Sequence, residues 1–270
     1  RLPFELGSQG RYARLTAALV DTGHEVVWWT SSYSHSHKTV RERTQRHHDD
    51  VAYNVIPARP YSKNVSLARI LNHRDFTKNM SSAMRAALKS EDRPDLILVS
   101  LPLIGASAQV IRLGKEFSVP VVIDVQDIWP DSFRVLLPNG WGFDYLAKVL
   151  FFFMKRKASR ALRMANRVTA TCRTYHDWAK NQEGRAESYF YLGGTKRPTV
   201  IVPESQKYNT GESGNAKLVR LIYSGSMGPV YDLKTIIHAL SMARDQGYNL
   251  TLDFAGSGQQ EAELKSLVEE

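Results

Sequence analysis

Residues 95–125 read DLILVSLPLIGASAQVIRLGKEFSVPVVIDV, and Pro94 stands directly before them. The two ends of this stretch, 95–101 and 119–125, are short apolar runs with the length and β-branched content of buried strands. Between them, residues 104–117 have the apolar spacing of a helix. A strand, a helix and a strand in succession predict two parallel strands joined by a right-handed crossover.

The same alternation extends in both directions from this unit. Helices are predicted over 10–22, 67–88, 145–165 and 175–181, and strands over 25–29, 53–58 and 168–172. Such a pattern is typical of a doubly wound α/β domain with helices on both faces of a parallel sheet. We therefore expect one sheet to contain the following residues: Val26, Leu98, Val122 and Thr169.

The alternation stops between Gly193 and Lys217, where glycines, prolines and a polar run at 209–215 predict a linker. It then restarts with strands over 218–223 and 250–254 and helices over 233–244 and 260–268. Two strands and two helices bury little core by themselves, so we expect a second α/β domain that is truncated at its C terminus. A separate sheet should contain Ile222 and Leu252.

The composition favours an anionic partner. The 270 residues are 43% hydrophobic and carry a net charge of +9, which fits binding to a phosphorylated substrate, a phospholipid surface or nucleic acid, or else a solvated basic surface. The one cysteine, Cys172, fits a reducing compartment. The longest apolar run, around 146–154, is far shorter than the roughly 20 residues that cross a bilayer.

Three glycine-rich turns are candidate phosphate sites. Each lies where a helix is predicted to follow, and a helix N terminus offers free N–H groups and a positive dipole end. Each is equally compatible with an ordinary tight turn. The candidate residues for a diphosphate are Gly7, Ser8, Gln9, Gly10 and Arg11 in the first turn, Gly225, Ser226, Met227 and Gly228 in the second, and Gly256 and Gly258 in the third.

Three carboxylates lie in or after the strand that ends at Val125. Asp124 belongs to the strand, and Asp127 and Asp131 follow it. Carboxylates can bind a hard cation, but the Trp129-Pro130 turn between the last two argues against their convergence. We favour a base or a sugar-hydroxyl acceptor, with Asp127 as the best-placed candidate. The alternative is a turn cap, which is the role expected for Asp131.

Two further segments carry polar side chains. The stretch 30–38 contains His35, His37 and Lys38 and is either a substrate loop on the acceptor side or a flexible surface loop. Its two histidines lack the cysteine cluster of a zinc site. The helix predicted over 144–167 carries seven Lys and Arg residues against Asp144, which favours contact with an anionic membrane surface or a lipid-linked diphosphate.

These segments together resemble the family 4 glycosyltransferases of the GT-B fold, and most closely the bacterial enzymes that assemble O-antigen, capsule or exopolysaccharide. The resemblance implies two Rossmann-like domains: an acceptor-side domain at 1–192 that lacks its first strand, a linker at 193–216, and the start of a nucleotide-sugar-binding domain at 217–270. It also implies retention of the anomeric configuration and neither a metal nor a cofactor. The glycine-rich turns would face the donor diphosphate, and Asp127 matches a His or Asp that addresses the reacting sugars.

The sequence departs from the family pattern at the second turn. The family often has an Arg where Ser226 stands, and a Lys in the region of Tyr231 and Asp232; Lys234 lies out of register. The family's paired glutamates are expected beyond Glu270. A chain truncated at both ends should therefore be inactive by itself.

The predicted function is transfer of a hexosyl or N-acetylhexosaminyl group from a nucleotide sugar to a lipid-linked saccharide. The expected location is the cytoplasm, peripheral on the inner face of the cell membrane. No nucleic-acid partner is expected, because no helix-turn-helix, RRM or KH signature accompanies the charge. Two alternatives remain at this point: a non-catalytic module that binds a phosphate ligand or nucleic acid, and a GT-B nucleotide-sugar epimerase.

Overall fold

The structure is a computed structural model that describes residues 10–35, 37–41, 46–48, 51–62, 66–132, 141–182, 186–193, 218–228 and 231–269. For residues 46–48, 141–148, 150 and 269 it describes the backbone alone. The chain divides into two compact units, Arg1–Lys196 and Arg197–Glu270. The linker predicted at 193–216 lies outside the described residues, except for Gly193.

The first unit alternates strands and helices, as an α/β protein does. Its helices are α1 (Arg11–Asp21), α2 (Leu67–Ala87), α3 (Ile104–Glu116), α4 (Trp141–Met164) and α5 (Arg173–Asn181). Its strands are β1 (Val26–Ser31), β2 (Tyr33–Ser34), β3 (Thr39–Val40), β4 (Arg46–His48), β5 (Val51–Ile56), β6 (Ile97–Leu101), β7 (Val121–Val125), β8 (Arg167–Ala170) and β9 (Ala186–Tyr189). The α/β class predicted from the sequence is confirmed.

The long strands of this unit pair in parallel but form two sheets. One sheet has four parallel strands in the order β6-β7-β8-β9; the other has the order β1-β5-β4, with β1 and β5 parallel. The prediction that Val26 shares a sheet with Leu98 is therefore wrong, because Val26 pairs with Val51 instead. Periodicity predicts that a strand exists, whereas its hydrogen-bonding neighbour depends on contacts far away in sequence.

The core of the first unit lies between the four-stranded sheet and the helices packed on it. Leu101, Ile123 and Val168 from the strands and Leu113 from α3 are completely buried. Gly114 allows this close approach, because a Cβ atom there would meet the carbonyl oxygen of Val119 at 2.7 Å. The predicted strand–helix–strand unit of residues 95–125 is thus confirmed at the centre of the core.

Helix α4 differs from the sequence prediction in two respects. It ends at Met164, so Arg167 belongs to β8, where it pairs with Glu187 at 3.0 Å. Phe153 within the apolar run of 146–154 is 63% exposed, whereas Ala158 and Leu162 in the second half of the helix are fully buried. The packing of α4 thus changes along its length, which a uniform 3.6-residue period does not show. Among the described residues, no helix combines the length and apolarity needed to cross a membrane.

The second unit is smaller. It contains β10 (Val219–Ser224), α6 (Leu233–Asp245), β11 (Leu250–Ala255) and α7 (Glu261–Glu269). The two strands pair in parallel, with Ile222 opposite Asp253 and Leu221 opposite Leu252. The predicted separate sheet containing Ile222 and Leu252 is therefore confirmed. Its core is centred on Met227, Leu233 and Leu264.

Candidate functional site

Aromatic and basic side chains gather beyond the carboxyl ends of three strands of the first unit. Ligands bind at these ends in open α/β sheets, so the position is the one expected for a site. Two of these side chains follow β1, one follows β5 and one follows β7. Helix α2 supplies the other two from its first two turns. We call these six side chains the basic-aromatic cluster: Tyr33, His35, Tyr61, Arg69, His73 and Trp129.

Tyr61 holds one half of the cluster together. Its ring lies 4.7 Å from the ring of Tyr33, whose hydroxyl donates to the Tyr61 carbonyl. Its own hydroxyl lies 2.5 Å from Nδ1 of His35. The Nζ atom of Lys38 lies 4.6 Å from the centroid of the Tyr61 ring, within range of a cation–π contact. The loop after β1 is therefore packed onto the end of β5.

Arg69 lies between Tyr61 and the second part of the cluster, which consists of His73 and Trp129. Its guanidinium lies 6.0 Å from the Tyr61 ring and 5.2 Å from the Trp129 ring. His73, one turn further along α2, stacks on Trp129 with ring centroids 6.1 Å apart and planes inclined by 25°. Burial, together with the positive charge of Arg69 and the nearby His35, lowers the pKa of His73 to about 4. His73 is therefore neutral at pH 7.

Asp127 is fixed in the loop that carries Trp129. One carboxylate oxygen accepts a hydrogen bond from the backbone N–H of Ile128 at 2.8 Å, and the other accepts from Nε1 of Trp129 at 2.8 Å. The first of these contacts is the turn cap considered for this residue. The second attaches Asp127 directly to the basic-aromatic cluster, so the carboxylate is held in one orientation beside it.

The three neighbouring carboxylates point to different partners. Asp124 accepts from Arg11 on α1, Asp127 from its own loop, and Asp131 from Nε1 of Trp178 at 2.8 Å and Nζ of Lys155 at 3.2 Å. Asp131 thus ties the loop to α4 and α5 rather than capping a turn. Within the described parts of the chain, no three His, Cys, Asp or Glu side chains are grouped closely enough to hold a metal ion.

Asp124 is the most heavily bonded carboxylate of the three. It is 2% exposed and accepts from Arg11, from the hydroxyl of Tyr12 at 2.9 Å and from Oγ1 of Thr169 at 2.7 Å. Burial raises the pKa of Tyr12, and the negative charge of Asp124 raises it further, so Tyr12 stays a neutral donor. Asp124 therefore holds Arg11, Tyr12 and Thr169 together in the protein interior, and its carboxylate is not at the surface of the site.

The first glycine-rich turn is described only at its end, because Gly7, Ser8 and Gln9 lie outside the described residues. Gly10 is the N-cap of α1, and a Cβ atom placed on it would meet no atom of the described residues within 4 Å. Arg11 is turned inward: besides Asp124, it donates to the carbonyl of Phe190 at 2.6 Å. The structure thus commits Arg11 to internal contacts.

The predicted acceptor-side residues lie in the β2–β3 hairpin, which replaces the loop expected over 30–38. His35 contacts Tyr61, as described above, and partial burial lowers its pKa, with Lys38 and Arg69 lowering it further. Lys38 also lies 3.4 Å from Nδ1 of His35 and adopts a positive φ of 55° in the turn. The side chain of His37 is exposed, and its backbone N–H donates to Oγ of Ser34. The structure brings His35 and Lys38 together and leaves His37 at the surface.

Comparison with known proteins shows the family of the first unit. The sequence profile described as "Glycosyl transferase 4-like domain" matches residues 7–193, which is more than half of the chain. The chain belongs to this family. The match contains α1, the hairpin, α2 and the Asp127 loop, so the whole site described above lies inside the glycosyl transferase 4-like domain.

Structural comparison gives a more distant likeness. The crystal structure of Arabidopsis thaliana UGT89C1 complexed with quercetin matches with a TM-score of 0.46 and 12% identity, over 90% of this chain and 64% of that one. The chain thus spans less than two thirds of the length of UGT89C1 in that structure. No curated protein sequence matches the chain.

Beyond the glycosyl transferase 4-like domain, the second unit holds the other two glycine-rich turns, and they pack on each other through their backbones. The N–H of Gly225 donates to Ala255 at 3.0 Å, and that of Met227 donates to Ser257 at 2.9 Å. A Cβ atom on Gly256 would overlap the carbonyl oxygen of Gly225, and one on Gly258 would overlap the backbone of Met227. Both glycines are thus required for the approach of the two turns.

The remaining candidates of the second turn have different surroundings. The carbonyl of Ser226 accepts from the hydroxyl of Tyr223 at 2.8 Å, and Met227 is buried in the core of the unit. Gly228 has room for a Cβ atom, with Oγ of Ser226 at 3.5 Å. Lys234, considered as a substitute phosphate ligand, pairs with Glu263 on α7.

Sequence reasoning missed three residues of the site, Tyr61, Arg69 and His73, and it missed the pairing role of Asp124. A charged residue within the apolar strand 121–125 does signal a buried partner, because burying an unpaired carboxylate is costly. The sequence does not show which cation supplies that partner. For Arg69 and His73 the sequence predicted only a helix over 67–88, and their common contact depends on the position of Trp129.

Proposed function

We propose that this chain belongs to a retaining glycosyltransferase in which the unit Arg1–Lys196 binds the acceptor and the unit Arg197–Glu270 binds the donor. The enzyme transfers a hexosyl or N-acetylhexosaminyl group from a nucleotide sugar to a lipid-linked saccharide during synthesis of a bacterial cell-surface polysaccharide. One observation carries the proposal: inside the region that matches the family, Asp127 is held at the carboxyl edge of the sheet by Trp129. A fixed carboxylate in that position can meet an acceptor hydroxyl.

In the proposed reaction, the acceptor hydroxyl oxygen bonds to the anomeric carbon of the donor sugar. The bond between that carbon and the diphosphate oxygen breaks, and the nucleoside diphosphate leaves with the electron pair. Asp127 accepts or orients the proton of the attacking hydroxyl. Each of its oxygens accepts one hydrogen bond from the protein, which fixes the carboxylate and leaves a lone pair for the acceptor.

The leaving diphosphate needs donors that do not move during the reaction. We assign this role to backbone N–H groups: in the first unit those that begin α1 after Gly10, and in the second unit those of Ser226 and Gly228. The N–H groups of Gly225 and Met227 donate to Ala255 and Ser257 instead. Arg11 is assigned a different role from the one first considered, because its guanidinium supports Asp124. Gly256 and Gly258 allow the third glycine-rich turn to pack closely on the second. No metal or cofactor takes part in this proposal.

Association with the inner face of the cell membrane is the second part of the proposal. Supporting it, the described half of α4 exposes two adjacent aromatic rings, Phe152 at 59% and Phe153 at 63%. The same helix carries five exposed cations: Lys155, Arg156, Lys157, Arg160 and Arg163. Aromatic rings beside cations are the composition of a helix that lies on an anionic lipid surface.

The test is a donor and acceptor screen with the full-length protein. Release of nucleoside diphosphate from a panel of nucleotide sugars is measured with and without a lipid-diphosphate-linked sugar. We expect acceptor-dependent release with one nucleotide sugar and a product with the donor's anomeric configuration. Folded protein that releases no nucleoside diphosphate with any donor contradicts the function, and an inverted product contradicts retention.

A further inference from the structure

A groove on the first unit is lined mainly by residues that the sequence did not single out. It has a volume of about 580 Å³ and runs between α2 and α3, with α4 at one side and Trp129 at one end. Ile70, Leu103, Ile104 and Met154 give it apolar walls. Its size falls in the range of roughly 300–1,000 Å³ that holds one small ligand.

The charged residues of the groove all have one sign. Four cations line it from three helices: Arg74 and Lys78 from α2, Arg112 from α3 and Lys157 from α4. None of the described residues that line it is acidic. Within the described chain, no carboxylate forms an ion pair with any of the four. Other cations of the same three helices do have carboxylate partners, as Arg85 has Glu116 and Lys155 has Asp131.

The groove connects the proposed catalytic carboxylate to an exposed apolar surface. At one end, Trp129 lines the groove and donates a hydrogen bond of 2.8 Å to Asp127. Its lining also includes Ile70, which is 61% exposed, and Met154, which follows the exposed ring of Phe153 in α4. A ligand in the groove would therefore contact apolar side chains and lie near Asp127.

We propose that the groove binds one anionic amphiphile, the diphosphate and the first part of the hydrocarbon chain of the lipid-linked acceptor. Four cations that form no ion pair with a described carboxylate match a diphosphate, and the apolar walls match a hydrocarbon chain. This inference rests on the proposed function and locates the acceptor on the protein. A concave site of this volume holds a single hydrocarbon chain. A bilayer surface would instead contact the exposed side chains of α4.

The binding test uses farnesyl diphosphate, which carries one diphosphate and a short hydrocarbon chain in a water-soluble molecule. Calorimetric titration of the full-length protein compares it with inorganic pyrophosphate and with farnesol. We expect binding at least about tenfold tighter than either fragment, because both the charge and the burial of a few CH₂ groups contribute. Equal affinity for pyrophosphate would overturn the role of the apolar walls.

The variant test removes charge from inside and outside the groove. Lys78→Gln/Arg112→Gln removes one groove cation from each of α2 and α3, and both side chains are exposed, so folding is preserved. Lys89→Gln/Lys115→Gln removes two exposed cations at the ends of the same helices, outside the groove. We expect about tenfold weaker binding for the groove pair and less than about twofold for the control pair.

Three results would overturn the groove proposal. They are wild-type affinity for farnesyl diphosphate in Lys78→Gln/Arg112→Gln, an equal loss of affinity in that variant and in the control variant, and binding to phosphatidylglycerol vesicles without binding of farnesyl diphosphate. The binding test needs no donor and no turnover, so it is independent of the reaction. Intact amphiphile binding without transfer from any donor would contradict the proposed function alone. Transfer to an acceptor that does not bind in the groove would contradict this inference alone.

Discussion

Arg11 in the first turn of α1 forms a two-point ion pair with Asp124 in β7, from Nε at 2.9 Å and from a terminal nitrogen at 3.1 Å. Helix α1 packs on β1 of one sheet, whereas Asp124 belongs to the other sheet. The third nitrogen of Arg11 donates to Phe190, just beyond β9. The pair therefore fastens α1 to the four-stranded sheet and connects the two sheets of the first unit.

Loss of this buried pair should destabilise the protein strongly. Asp124→Ala leaves the Arg11 charge and the Tyr12 and Thr169 hydroxyls without their acceptor, and we expect a loss of about 3–5 kcal/mol in the free energy of unfolding. For a unit of this size the melting temperature should fall by about 10 °C. Urea unfolding measures the loss.

The exposed ion pair of Arg59 and Asp75 supplies the control for that prediction. Asp75 is 28% exposed and Arg59 is 50% exposed, so Asp75→Ala should destabilise the protein much less than Asp124→Ala does. Equal losses for the two aspartate variants would show that the Arg11–Asp124 pair has no special structural role.

Asp127→Asn should reduce turnover with little effect on folding. Removal of a general base typically costs about 100- to 10,000-fold in rate. The amide oxygen of Asn can still accept one of the two hydrogen bonds, so the melting temperature should change little. Rate and melting temperature are measured on the same sample of the full-length enzyme.

Asp131→Asn is the matched control in the same loop, because Asp131 accepts from Trp178 and Lys155, which are not members of the cluster. It should keep near-normal turnover. Wild-type turnover in Asp127→Asn would instead leave Asp127 with the capping role alone. His35 and His37 would then be the next candidates for the base.

The low pKa of His73 should make stability depend on pH. Its pKa is about 4 in the folded protein and about 6.5 in the unfolded chain, so between these values the unfolded state binds more protons. Stability should therefore fall as the pH decreases from about 6.5 to about 4. Because His73 is partly exposed, we expect about 1–2 kcal/mol rather than the full shift.

Unfolding of wild-type protein and of His73→Phe across this pH range isolates the contribution of His73. Phe keeps an aromatic ring against Trp129 but cannot bind a proton. The variant should lose about 1–2 kcal/mol less than the wild type over the same range. Identical pH profiles would mean that His73 titrates normally in the folded state.

Gly256→Ala should disrupt the second unit. The added Cβ atom would overlap the carbonyl oxygen of Gly225, which is backbone and cannot rotate away. We expect a loss of about 1–3 kcal/mol, and faster amide exchange at Gly225 and Met227. Gly228→Ala is the control, because its Cβ atom would make an ordinary contact at 3.5 Å. Similar exchange rates in both variants would contradict the packing role of Gly256.

Anionic lipid should bind α4 in a salt-dependent manner. We expect binding to phosphatidylglycerol vesicles, weak binding to neutral vesicles, and weakening by salt, since charges are screened over about 10 Å at 0.1 M. Arg156→Gln/Arg160→Gln should reduce binding about tenfold or more and leave farnesyl diphosphate binding unchanged. Vesicle sedimentation measures this. Equal binding to neutral and anionic vesicles would exclude the electrostatic role.

Local patterns predicted most of the elements. The spacing of apolar residues predicted α2, α3, β6 and β7 to within two residues, because helix and strand periods are properties of neighbouring residues. The short strands β2, β3, β4 and β9 were not predicted. A strand of two to four residues is too short to show a period, and it exists because a partner strand supplies its hydrogen bonds.

The sequence by itself determined the α/β class, the position of Asp127 after a buried strand, and the excess of positive charge. Tertiary structure alone decided which side chains meet. Arg11 lies 113 residues from Asp124, and Arg69 is 60 positions from Trp129, so nothing local relates either pair. The same holds for the groove, whose four cations come from three helices. Each helix shows only a basic, amphipathic pattern, and the common surface arises because long-range packing of apolar faces places the helices side by side.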